Sequence, residues 1–122
     1  MAGMAHFSNF FRYMESAEVE FLHSRGLSVS VGLQGEKFGF PRVAASCDFM
    51  LPLRFQDVVQ IDVRVERIGN KSITYAFDFS RGGDLVADGR ITTCCCRVLP
   101  DLSLEPIDIP QSIRDLLENK QE

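Results

Sequence analysis

Apolar residues recur along this chain with two different periods, and the change of period divides it into a helical and an extended part. In "HFSNFFRYMESAEVEFL" (residues 6–22), Phe10, Phe11, Met14, Ala17, Phe21 and Leu22 return at three- and four-residue steps. That is the apolar stripe of a core-facing helix, predicted here over residues 7–22. Ser8 is placed to cap it by accepting an orphan N–H of the first turn. His23 and Arg25 set basic groups in the last turn and Gly26 follows them, a stop signal. Residues 27–42 carry Gly32, Gly35, Gly39 and Pro41 and read mostly as loop, with at most a short strand.

Beyond that loop the period becomes two. "VAASCDFML" (43–51) reads as a strand ended by Pro52, and "VVQIDVRVERI" (58–68) puts Val59, Ile61, Val63 and Val65 on one face. "GNK" (69–71) turns the chain. "SITYAFDFS" (72–80) alternates Ile73, Tyr75, Phe77 and Phe79 against Thr74, Ala76 and Asp78. "RGGD" (81–84) makes a second turn into a long last strand, "LVADGRITTCCCRVL", and "IPQSIRDLLEN" closes as a short helix with Pro110 in its first turn. About four strands joined by tight turns make an antiparallel sheet. One apolar sheet face and one apolar helix satisfy each other by packing together. The expected class is α+β: a curled antiparallel sheet wrapped around one long central helix, as a single domain over residues 1–122.

Composition narrows the function classes. The 122 residues are 45% hydrophobic and 25% charged, an ordinary globular balance. A net charge of −4 speaks against a general nucleic-acid binder, so an anionic ligand needs a local basic patch. No apolar run reaches membrane-spanning length and the N-terminus lacks a secretory pattern, so no membrane partner and a cytoplasmic location are expected. Cys94, Cys95 and Cys96 alternate faces on an extended strand and cannot wrap one metal ion; with Cys47 they read as free thiols of a reducing compartment.

The helix together with "AGMAHFSNFFRYMESAEVEFL" resembles the hotdog-fold acyl-CoA thioesterases of the 4-hydroxybenzoyl-CoA thioesterase type. Their first motif reads roughly Asp-x-x-Gly-x-x-Tyr/His-Tyr/Phe-x-Asn-Tyr/Phe, and Gly3, His6, Phe7, Asn9, Phe10 and Phe11 match it in register. "PLRFQD" (52–57), "VERIGNKSITYAFDF", "LVADGRITT" and "PIDIPQSIRDLL" follow in family order. The family's Asp would stand one position before Met1, and its first strand would precede that. The chain is therefore expected to start inside the motif, through a late start or as a member that works without that carboxylate.

The resemblance implies hydrolysis of an acyl-CoA to a carboxylate and free coenzyme A, with no metal or redox cofactor. It assigns the oxyanion donor to the backbone N–H of Phe7 at the helix mouth, where unpaired N–H groups and the dipole favour negative charge. Glu15 lies eight residues further on, where a second branch of hotdog thioesterases carries its catalytic carboxylate; a solvated face of Glu15, Glu18 and Glu20 is the alternative. His6 is expected to contact substrate or orient the loop, and Asn9 to bond the loop backbone beside the substrate. Phe10 and Met14 would line the acyl pocket. Arg67, Lys71, Arg81 and Arg90 are candidates for the coenzyme A phosphates, each otherwise a solvated strand-edge charge. Open sheet edges imply a homodimer or homotetramer. A noncatalytic acyl-thioester-binding or assembly protein on the same scaffold is the other reading. A hotdog dehydratase is disfavoured, because its paired His and acid are represented only by His6.

Overall fold

The computed structural model describes residues 9–27, 30–33, 36–51 and 58–118. Its elements in chain order are α1 (Asn9–Ser24), β1 (Ser30–Leu33), β2 (Glu36–Gly39), β3 (Arg42–Phe49), β4 (Gln60–Ile68), β5 (Ser72–Arg81), β6 (Asp84–Cys94), β7 (Cys96–Val98), β8 (Leu104–Pro106) and α2 (Gln111–Glu118).

The helix stops where the sequence says it should. Gly26 takes φ +76°, its N–H bonds His23 O at 3.0 Å and the Leu27 N–H bonds Leu22 O at 2.8 Å. This is the paired closure in which a left-handed glycine lets the chain fold back onto the last carbonyls. Leu27 is buried with Leu22, as the hydrophobic contact of that closure requires.

The described residues form two four-stranded sheets, in the orders β1-β2-β7-β8 and β3-β6-β5-β4, and every pairing is antiparallel. The two share a spine. The long last strand is interrupted at Cys95, pairing with β3 and β5 before it and with β2 and β8 after it. Its partner run breaks opposite, at Phe40–Pro41, where Pro41 has no N–H to donate and its carbonyl accepts Cys94 N–H at 3.0 Å. At the break the Cys95 N–H turns to Lys71 O at 2.7 Å while its carbonyl accepts the Ile107 N–H at 3.0 Å. The surface curls because its longest strand changes neighbours midway. Gly82 and Gly83, both at positive φ, close the β5–β6 hairpin.

One expectation is corrected. Among the described residues the four expected strands become eight, because the last run is broken at Cys95 into β6 and β7 and because β1, β2 and β8 add to the strands predicted. The described helices are two, of 16 and 8 residues, the second being the short closing helix that the sequence predicts.

The core lies on one sheet face, with Ile73, Tyr75, Phe77 and Phe79 of β5 and Ile91 of β6 buried against Phe10, Met14 and Leu22 of α1. Ile113 and Leu117 of α2 join the same cluster. Gly89 sets the depth of the helix: a Cβ there would stand 2.7 Å from Met14 Sδ. A bare backbone on β6 is what allows the methionine of α1 to seat on the sheet.

Candidate active site

At the N-terminal end of α1, the Phe10 ring meets Phe49 of β3 at 4.8 Å, Phe79 of β5 at 4.9 Å and Tyr13 at 6.0 Å between centroids, all edge-to-face. Such contacts hold the helix mouth against the ends of β3 and β5. Phe10 and Met14 are both buried in the core at this end of the helix. Asn9 is the first helical residue. His6, Phe7 and residues 52–57 lie outside the described residues.

One turn along, the charged groups are not arranged as a solvated face. Glu18 has no exposure at all, and its Oε1 accepts from Arg42 Nε at 2.6 Å. Arg42 Nη1 also stands 3.7 Å from Oε2 of Glu15, a charge contact longer than a hydrogen bond. Glu15 itself is 52% exposed at the helix surface. One guanidinium from the start of β3 thus addresses two carboxylates of α1, one sealed in the core and one open to solvent. Sequence reasoning missed Glu18 and Arg42. The signal was present for Glu18: positions 14, 18 and 22 repeat at four-residue steps, and the first and last are core residues.

Burial raises the Glu18 carboxyl above its ordinary value; the hydrogen bond and charge of Arg42 pull the other way without cancelling it. Burial, then the Glu18 charge, raises the Tyr75 phenol. Glu18 Oε2 and Thr93 Oγ1 are both buried without a partner among the described residues.

The four basic candidates do not gather. Lys71 precedes β5 and Arg81 ends it, so at the usual rise of a strand they stand about 30 Å apart. Lys71 is tied to Asp108 at 2.7 Å. Arg90 is bound to Asp88 and, at 2.8 Å, to Glu66. Arg67 lies on the far half of β4, toward the C-terminal end of α1. Only Arg81, two residues beyond Phe79, shares an end with the helix mouth. The cysteines are free: Cys95 and Cys96 are buried and Cys47 and Cys94 half-buried. Burial pushes the thiols of Cys47, Cys95 and Cys96 up to about 11, which makes them poor nucleophiles.

Residues 2–87 match the family model of the thioesterase superfamily. The chain belongs to that superfamily. A protein of Aquifex aeolicus (strain VF5), described only provisionally as an esterase, is 26% identical over 121 residues, covering 96% of this chain and 87% of its own. The solved structure of a gentisyl-coenzyme A thioesterase aligns with a TM-score of 0.76 at 29% identity, over 94% of this chain and 87% of that one. A 1,4-dihydroxy-2-naphthoyl-CoA thioesterase from Synechocystis has a TM-score of 0.76 at 22% identity, over 94% and 83%, a likeness of fold. Thioester hydrolysis is the chemistry of the superfamily, and no helix among the described residues is long and apolar enough to cross a membrane.

The Glu18–Arg42 pair makes a stability prediction with a definite sign. Removing Arg42 strands a buried carboxylate, whereas removing the charge of Glu18 leaves Arg42 free to turn to solvent. Arg42→Ala should therefore cost about 3–5 kcal/mol and Glu18→Gln distinctly less. Because the folded carboxyl binds its proton more tightly than the unfolded one, this group's contribution falls as pH rises from 4.5 through its raised value. Urea unfolding at several pH values should show that decline in the parent chain and its loss in Glu18→Gln. Equal costs for the two variants, or an unchanged slope, would contradict this account.

Proposed function

We propose that this superfamily member hydrolyses an acyl-coenzyme A thioester, with Glu15 as the carboxylate that activates water and Arg42 as the residue that positions it. Acyl-CoA and water give a carboxylate and the free thiol of coenzyme A. The observation that carries the proposal is the placement of Glu15: half-exposed on α1, beside a guanidinium whose other contact is anchored in the core. Helical side chains lean toward the N-terminus, so this carboxylate is directed toward the mouth of α1. There the backbone N–H of Phe7 takes the oxyanion role that the family resemblance implies, and His6 and Asn9 contact the substrate. Phe10 and Met14 supply an apolar floor for the acyl group, and Arg81 is the basic residue on the right end of the sheet for a phosphate.

Support for coenzyme A as the thiol carrier comes from the superfamily match and from the relative named for gentisyl-coenzyme A. Thiol release from a panel of acyl-CoAs tests the activity. Glu15→Gln keeps size and packing but removes the base, so turnover should fall by about a hundredfold or more. Binding of a nonhydrolysable acyl-CoA analogue should survive. Full turnover in Glu15→Gln would make the helix acid structural, and binding without turnover in the parent chain would make the protein a thioester binder.

We also propose that the protein is a homodimer or a dimer of dimers, paired through β3. That strand is an edge of its sheet, eight residues long, with Val43 62% and Phe49 46% exposed along and at the end of it. Pairing two such edges covers unpaired backbone groups and brings Arg42 and the Phe10 end of each copy to the interface. Light scattering at micromolar concentration should give at least twice the chain mass; a stable monomer would rule this assembly out.

A further inference from the structure

At the opposite end of α1 from the helix mouth, a cavity of about 530 Å³ opens between the helix end, β4 and α2. Phe21, Val63, Val65 and Leu117 give it apolar walls, and Arg25 and Arg67 give it positive charge. A volume of this order is that of a small-molecule site. Arg25 lies some ten residues, or about 15 Å of helix, beyond Glu15, so the cavity is separate from the proposed catalytic groups.

Arg25 is the informative residue. Its guanidinium carbon sits over the Phe21 ring, 4.9 Å from its centre, a cation–π contact that holds the group in place. Nε and Nη1 are both buried, yet neither has a hydrogen-bond partner among the described residues. An arginine at a helix C-terminus ordinarily needs no further explanation, because it bonds the last carbonyls and complements the dipole. Here those carbonyls are already taken. Phe21 O accepts from Ser24 Oγ at 2.6 Å, Leu22 O from the backbone N–H groups of Arg25 and Leu27, and His23 O from that of Gly26.

The other charges at the cavity do not neutralise it. Arg64 is bound to Asp78 at 2.7 Å and Glu66 to Arg90 at 2.8 Å. Among the described residues that leaves Arg25 and Arg67 against the exposed carboxylate of Glu118, which forms no ion pair with either. Buried donors without acceptors, beside an apolar space of ligand size, call for an acceptor that brings its own apolar body.

We infer that this cavity is a second ligand site, for a monocarboxylate with a compact apolar body, aromatic or aliphatic, whose carboxylate is held by Arg25. The inference does not rest on the hydrolase reading. Carboxylates of this class are nevertheless what thioester hydrolysis releases, so the site would report product concentration to the far end of α1.

A titration of the intact chain followed by heteronuclear NMR tests it, with benzoate and hexanoate as the aromatic and aliphatic arms and benzamide as the uncharged control. Saturable shifts confined to Phe21, Val65 and Leu117 are expected from at least one carboxylate, with benzamide weaker by about tenfold or more. Arg25→Met should lose that preference, and Arg25→Lys should keep part of it. Equal binding of benzamide, an unchanged preference in Arg25→Met, or no saturable shift up to roughly 10 mM would overturn the proposal, millimolar binding being the weakest a specific site would show. So would shifts along β4 that follow protein concentration instead of ligand, since they would mean that another copy covers the cavity. The readout is binding alone, so its failure leaves the thioesterase reading intact, and an inactive chain that still binds carboxylate leaves this one intact.

Discussion

A carboxylate with no solvent exposure, held 2.6 Å from a guanidinium, ties the helix of this protein to the edge of its sheet. Desolvating Glu18 is expensive, and Arg42 offsets that cost only while it keeps its present position. The pair therefore fixes two things at once. It sets where α1 lies relative to the first residue of β3, and it leaves Nη1 of Arg42 3.7 Å from the exposed carboxylate of Glu15. An apolar pair at these positions could serve packing as well, but it would have no charge to present beyond the core.

The rest of the packing makes that placement possible. Gly89 lets Met14 sit directly on β6, which brings the next inward position of the helix, Glu18, down to the level of Tyr75 and Thr93. The edge-to-face rings around Phe10 hold the other end. The curl of the sheet comes from a change of partner at Cys95 and a missing donor at Pro41, so both halves of the spine strand stay hydrogen-bonded. A thioesterase of this size can thus place an open carboxylate and a sealed one on one helix, three residues apart, and keep them chemically distinct.

Much of the fold was legible in the residues. The strict alternation through Val59, Ile61, Val63 and Val65, and through Ile73, Tyr75, Phe77 and Phe79, named β4, β5 and their inward faces. Gly26 and the pair Gly82-Gly83 marked their turns because left-handed backbone is what glycine supplies. The break at Cys95 was not legible, since a strand that changes partners keeps the same composition on both sides. Glu18 entered only in the alternative of a solvated face, because charge outweighed spacing, although its place between Met14 and Leu22 pointed inward. The grouping of Arg67, Lys71, Arg81 and Arg90 failed for a reason of length: nearness to two turns in sequence does not bring together residues at opposite ends of a ten-residue strand.

The central claim is that Arg42 acts on catalysis through Glu15. The direct measurement is kcat/KM for acyl-CoA hydrolysis across the parent chain, Arg42→Lys, Glu15→Gln and the double variant. Lysine keeps a charge for Glu18 but lacks the second nitrogen that stands 3.7 Å from Glu15. The account predicts that Arg42→Lys lowers kcat/KM in the parent chain and changes nothing further once Glu15 is Gln. The same fold-loss in both backgrounds would show that the two residues act independently, and would contradict it.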